Sequence, residues 1–137
     1  MVFFDTNIFV YAVSGAEADR LRHESAVRLL AAEDFGISIQ VIQEFMDVTL
    51  RKQKLLALTL DEIADMVRLM STYPCVETTL LLTHRAFDLK IKFQIRYWDS
   101  AILAAAKELG CHTLYTEDLN HGQNYEGVNV INPFLKG

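Results

Sequence analysis

Cysteine and proline are scarce in this 137-residue chain, with two of each. Cys75 and Cys111 make no Cys-x-x-Cys pair, and Cys111 stands directly beside His112, a spacing unsuited to zinc. The expectation is two free, buried thiols in a reducing cytoplasm, not a disulfide framework. Long apolar runs are lacking too. The longest, 8–13 and 101–106, fall far short of the ~18 residues that a membrane span needs. The greasy opening is broken by Asp5 and preceded by no Lys or Arg, so it is a poor secretion signal. Basic charge is not in excess, with 13 Lys and Arg against 18 Asp and Glu and a net charge of −5. That excludes a general nucleic-acid coat and leaves room for a local basic groove. Repeats, low-complexity tracts and linkers are absent. What remains is 51% hydrophobic and 23% charged, the composition of one folded domain over residues 1–137.

Short apolar segments alternate with helical patterns. Val2-Phe3-Phe4, Gly36-Ile37-Ser38, Cys75-Val76-Glu77, Thr113-Leu114-Tyr115 and Val128-Asn129-Val130-Ile131 read as five strands. Helices are expected over 6–13, 19–33, 39–52, 59–70, 79–92 and 98–109. Thr59-Leu60-Asp61-Glu62 is a capping box, with Leu58 and Ile63 placed for its hydrophobic staple. The small apolar run AILAAA predicts a helix buried on most sides, ended by Gly110. The pattern is α/β, with a five-stranded, mostly parallel sheet flanked by helices. In such sheets ligands bind beyond the carboxyl ends of the strands, at a topological switch point.

Acidic residues fall where that rule directs attention. Asp5 follows the first strand, Asp118 follows the fourth, Asp99 opens the small-residue helix and Glu44 lies on the helix after the second strand. Singly, the three aspartates could be helix caps and Glu44 a solvated boundary residue. Together they form a set that topology brings to one sheet edge. Carboxylates ~4 Å apart repel by about 4 kcal/mol at an effective dielectric of 20, so such a set needs a cation or bound protons. All-oxygen ligands suit Mg²⁺, or Mn²⁺ in its place, better than zinc. Asn7 and Thr116 are candidates to orient the carboxylates. Glu117, beside Asp118, is an alternative fourth acid.

Seven of the 13 basic residues occupy 51–54 and 85–96. Of these, Arg51, Lys52 and Arg96 are the candidates for contact with a phosphate backbone. Tyr97 and Trp98 are expected to be buried aromatics at a helix start, with base stacking as the alternative.

The blocks VFFDTNIFVYA, SIQVIQEF, YWDSAILAAA, LYTEDLNHGQ and GVNVINPF, in that order, resemble the PIN domain, and within it the VapC-type toxin ribonucleases of toxin–antitoxin pairs. The resemblance spans nearly the whole chain. It implies a Mg²⁺-dependent endoribonuclease with Asp5, Glu44, Asp99 and Asp118 as the acidic site. Asp5 and Asp99 would be the main metal ligands, helped by Asp118, and Glu44 would position the attacking water or a second ion. It also implies an RNA substrate, a homodimer and a cognate antitoxin protein. An interaction module that keeps the fold without turnover is the other reading. A haloacid-dehalogenase-type phosphatase would need an acid where Asn7 stands. A receiver domain would need adjacent acids after the first strand and a Lys after the fourth.

Overall fold

A computed structural model describes residues 1–135, so the last two residues of the expected domain lie outside the described span. The elements run β1 (Val2–Phe4), α1 (Thr6–Val13), a 3₁₀ turn (Glu17–Asp19), α2 (Arg20–Ala32), β2 (Phe35–Ser38), α3 (Ile39–Arg51) and α4 (Leu60–Met70). They continue β3 (Cys75–Val76), α5 (Leu80–Phe93), α6 (Tyr97–Glu108), β4 (Thr113–Tyr115), β5 (Asn124–Tyr125) and β6 (Val128–Ile131). The sheet order is β3-β2-β1-β4-β6-β5, parallel except for the β5–β6 pair.

The fold is therefore the expected α/β architecture with six strands instead of five. The extra strand, β5, pairs with β6 across a tight turn in which Glu126 (φ 51°) and Gly127 (φ 98°) both take left-handed backbone. Two-residue hairpin turns of that kind usually announce themselves as Asn-Gly or Asp-Gly. Here the first position is a glutamate, whose carboxylate accepts from Lys107 (2.9 Å) and pairs with Lys92 (3.0 Å). These two lysines hold the Glu126 carboxyl below its usual range.

The core is built from consistent local signals. Phe3 and Phe4 are fully buried, as expected for a strand covered on both faces. Seven successive residues of α6, Ser100–Ala106, are buried. Their small side chains let α6 lie close against β2, β4 and β6, with α5 packed along its outer side. On other contacts, α1 meets α2, α3 and α4. Gly110 closes α6 with φ 77°, a conformation that costs a glycine little. Cys111 is buried and Cys75 only half-buried, and both are free.

The capping box forms as expected. Thr59 Oγ1 accepts from Glu62 N at 3.1 Å, and Glu62 Oε1 accepts from Thr59 N at 3.0 Å. Thr59→Ala is expected to cost about 1 kcal/mol, read as a lower urea midpoint at unchanged slope. A midpoint equal to wild type would mean that tertiary packing alone holds the start of α4.

Candidate active site

The chain order reverses direction in the sheet at β1, which lies between β2 and β4. The crevice beyond the carboxyl ends of β1 and β4 is the switch point, and the first residue after each strand meets there. Asp5 follows β1 and Thr116 follows β4, and the Thr116 hydroxyl donates to Asp5 Oδ2 at 2.7 Å. Asp5 Oδ1 accepts from Thr6 N at 2.7 Å, so Asp5 is also the N-cap of α1. Asp5 thus caps α1 and lies at the switch point at once.

A hydrogen-bonded chain extends from that pair. Thr116 Oγ1 accepts from Asp118 N (3.1 Å) and from Asn7 Nδ2 (3.4 Å). Asn7 Nδ2 also donates to Asp118 Oδ2 at 3.2 Å. Asn7 and Thr116 thus connect the two aspartates, which are 113 positions apart in sequence, as the notion of orienting residues requires. Asn7 Oδ1 is buried and has no hydrogen-bond partner among the described residues, leaving one oxygen acceptor open at the centre of the chain.

Burial is what sets the electrostatics. Asp5 is 5% exposed, and desolvation pushes its carboxyl up from 3.8 to about 7, against the lowering effect of the Thr116 and Thr6 hydrogen bonds. Asp118 and Glu44 add like-charge repulsion. Asp99 is half-buried in the first turn of α6, and its carboxyl is likewise raised by desolvation. Arg96 opposes that shift, while Asp118 and Glu44 add to it. Asp118 and Glu44 therefore act on both Asp5 and Asp99. The cap readings of Asp99 and Asp118 are corrected: Arg96 occupies the cap position of α6, and no helix follows Asp118.

Glu44 is held by a residue that the sequence reading passed over. Gln40, one helical turn earlier, donates its amide to Glu44 Oε1 and to the main-chain oxygen of Trp98 (3.1 Å). One carboxamide therefore ties α3 to the start of α6, beside Asp99. The i, i+4 spacing from Gln40 to Glu44 was visible in the sequence. That its amide also reaches Trp98 was not. Glu117 is engaged elsewhere, accepting from the Tyr11 hydroxyl at 2.8 Å, and burial, with that bond adding to it, pushes the Tyr11 phenol up. Of the two neighbouring acids, Asp118 is the one bonded into the Asp5 chain.

A cleft of about 540 Å³ opens over these groups, lined among others by Asn7, Glu44, Lys52, Arg96, Glu117 and Asp118. Lys52 and Arg96 thus sit on the same cleft as Glu44 and Asp118. Arg51 does not: its guanidinium pairs with Asp47 at 3.4 Å on the exposed side of α3. The expectation for the aromatics is corrected in one case. Tyr97 is half-buried, but Trp98 is 58% exposed.

The donor set is carboxylate oxygen, with a neutral amide oxygen beside it, which fits Mg²⁺ or Mn²⁺. Among the described residues, no three His, Cys, Asp or Glu side chains converge tightly enough to ligate one ion together.

Comparison with known proteins places this geometry in context. The PIN domain family model matches residues 2–126. No curated protein matches the chain. Among solved structures, a toxin–antitoxin complex from Klebsiella pneumoniae is 21% identical with a TM-score of 0.68, each chain 98% covered. VapC20 of Mycobacterium tuberculosis, described as a sarcin–ricin loop cleaving toxin, is 17% identical with a TM-score of 0.66, covering 83% of this chain and 87% of its own. VapBC2 of Rickettsia felis, bound to a promoter DNA fragment, is 17% identical with a TM-score of 0.62, covering 95% and 97%. At these identities the likeness is one of fold.

Proposed function

The chain belongs to the PIN domain family, and from that premise we propose that it is a single-domain, Mg²⁺-dependent endoribonuclease, the toxin of a type II toxin–antitoxin pair. The observation that carries this reading is the hydrogen-bonded chain Asp5–Thr116–Asn7–Asp118 at the sheet's switch point, with Glu44 and Asp99 coupled to it by charge.

Asp5, Asp99 and Asp118 would hold the cation, with Mn²⁺ as an alternative to Mg²⁺. Bound there, the cation would supply Lewis-acid stabilisation of phosphate charge and a more acidic water. Thr116 and Thr6 aim the Asp5 oxygens, and Asn7 holds Asp118, so little side-chain freedom is lost when the substrate arrives. Glu44, fixed by Gln40, orients the attacking water and accepts its proton as the phosphodiester bond is hydrolysed. Arg96 and Lys52, on the same cleft, draw the phosphate backbone across the acids, with Arg51 left to the outer rim. The partners proposed with this reading are an antitoxin protein that covers the cleft and a second copy of the chain. Among the described residues, no helix is long and apolar enough to cross a membrane.

The test is incubation of the purified protein with total cellular RNA in Mg²⁺, in Mn²⁺ and in EDTA. Discrete fragments that form with either metal and vanish with EDTA are the expected result. Fragments that persist in EDTA would overturn the metal-dependent mechanism. Absence of cleavage, with no divalent-cation binding by calorimetry, would return the chain to the reading of an interaction module without turnover.

A further inference from the structure

Trp98 is the only tryptophan in the chain, and it sits where an indole has no packing reason to be. It lies in the first turn of α6, one residue before Asp99 and two before the run of seven buried side chains, yet it is 58% exposed. It is nonetheless held in place. Its carbonyl oxygen accepts from Gln40 at 3.1 Å, and the Tyr97 ring stands edge-on to it, 5.2 Å away at 79°. Exposed apolar side chains are common on this surface, and Trp98 differs in being a large, rigid aromatic fixed beside a charged cleft.

The surroundings indicate what that placement serves. Trp98 lines a cleft of about 360 Å³ with Gln40, Gln43, Glu44, Asp47 and Arg96. Glu44 and Arg96 also line the larger cleft beside Asp118, so the two clefts adjoin at these residues. A strand whose phosphate lies at Arg96 would put its next base into the Trp98 cleft. The walls there sort the parts of a nucleotide. Glu44 repels a phosphate, whereas an indole face, the exposed Gln43 amide and the Glu44 carboxylate suit a flat, hydrogen-bonding, uncharged ring, Asp47 being paired with Arg51.

We propose that Trp98 is the stacking platform for one nucleobase of the bound RNA strand, a specificity-determining subsite beside the acidic site. The inference rests on the ribonuclease reading for the identity of its ligand, and it makes Trp98 a residue that selects and positions the strand.

Because there is one tryptophan, its emission reports on this subsite alone. The Asp5→Asn protein, in Mg²⁺ buffer, is titrated with a short oligoadenylate and with an abasic ribose-phosphate chain of equal length. Quenching by the oligoadenylate and little by the abasic chain is the expected result. In the otherwise wild-type enzyme, Trp98→Ala should raise KM about tenfold and shift the fragment ends, and Trp98→Phe should recover most of the loss, with circular dichroism showing both variants folded. RNA cleavage with unchanged KM in Trp98→Ala and no base-dependent quenching would overturn the subsite while leaving the ribonuclease reading intact. Base-dependent quenching in a protein that never cleaves RNA would support the subsite and overturn that reading. Emission that changes on protein dilution but not with RNA would place Trp98 in a protein interface and overturn the proposal.

Discussion

Asp5→Asn is expected to abolish RNA cleavage, by at least ~100-fold, and at the same time to make the metal-free protein more stable. The two effects share one cause. Asp5 is buried, and desolvation holds its carboxyl at about 7, against 3.8 in the unfolded chain. Between these values the folded state binds a proton that the unfolded state has released. Stability contributed by the protonated group is therefore fully present below about 4 and is lost as pH rises through 7. The shift corresponds to a cost on the order of 4 kcal/mol above pH 7. The neutral amide of the variant avoids that cost and keeps the shape, although the Thr116 hydroxyl must turn from donor to acceptor at the amide nitrogen. Thermal melts in EDTA at pH 8 should then show the variant higher by several degrees, with the gap narrowed to roughly half or less at pH 5 and closing only toward pH 4. Wild type, but not the variant, should recover the difference when Mg²⁺ is added. A variant that melts lower than wild type at pH 8 would mean that the Asp5 hydrogen bonds outweigh its desolvation. A variant that cleaves RNA at the wild-type rate would remove Asp5 from the site. The parallel variant Asp99→Asn should lose cleavage similarly. Its stability gain should be smaller, because Asp99 is only half-buried and Arg96 already opposes its shift.

Phe4→Ala should cost about 3–5 kcal/mol, a large share of the ~5–15 kcal/mol that holds a domain folded. Phe4 is fully buried and is the hub of an aromatic cluster. Its ring stacks on Phe35 at 4.5 Å and meets Phe9 and Tyr115 edge-on at 6.0 and 5.6 Å. Phe35 in turn stacks on Tyr73 at 4.0 Å. The cluster therefore joins β1 to the first residues of β2, to α1 and to β4, directly under the crevice that Asp5 occupies. Guanidinium unfolding measures the loss as a lowered midpoint, and a cost under ~1 kcal/mol would show that the cluster collapses freely into the gap. The same cavity would loosen Asp5, so residual activity should fall more than the folded fraction does.

These effects also separate what the residue order settles from what folding settles. Most elements were legible because their signals are local: the Thr59–Glu62 capping box, the small-residue run of α6 and the glycine at 110 all act within one or two helical turns. The alternation of short apolar strands with helices determined the α/β class, since a sheet covered on both faces leaves little other use for segments such as Val2–Phe4. The β5 strand was hidden because Glu126 takes its left-handed conformation with support from Lys92 and Lys107, neither of them near it in sequence. The acidic residues could be named from sequence as a set, because strand ends on a parallel sheet fall on one edge. The hydrogen-bonded chain that joins Asp5 to Asp118 could not. Whether Asp118 or Glu117 faces Asp5 depends on Asn7 and Tyr11, two α1 side chains on opposite sides of that choice. Gln40's hold on Trp98 and the exposure of that indole likewise arise only when α3 and α6 are brought together. Local preferences act through the backbone within a few residues, and so are written in the chain. Burial, shared charge and hydrogen bonds between residues more than a hundred positions apart exist only once the sheet has closed around them.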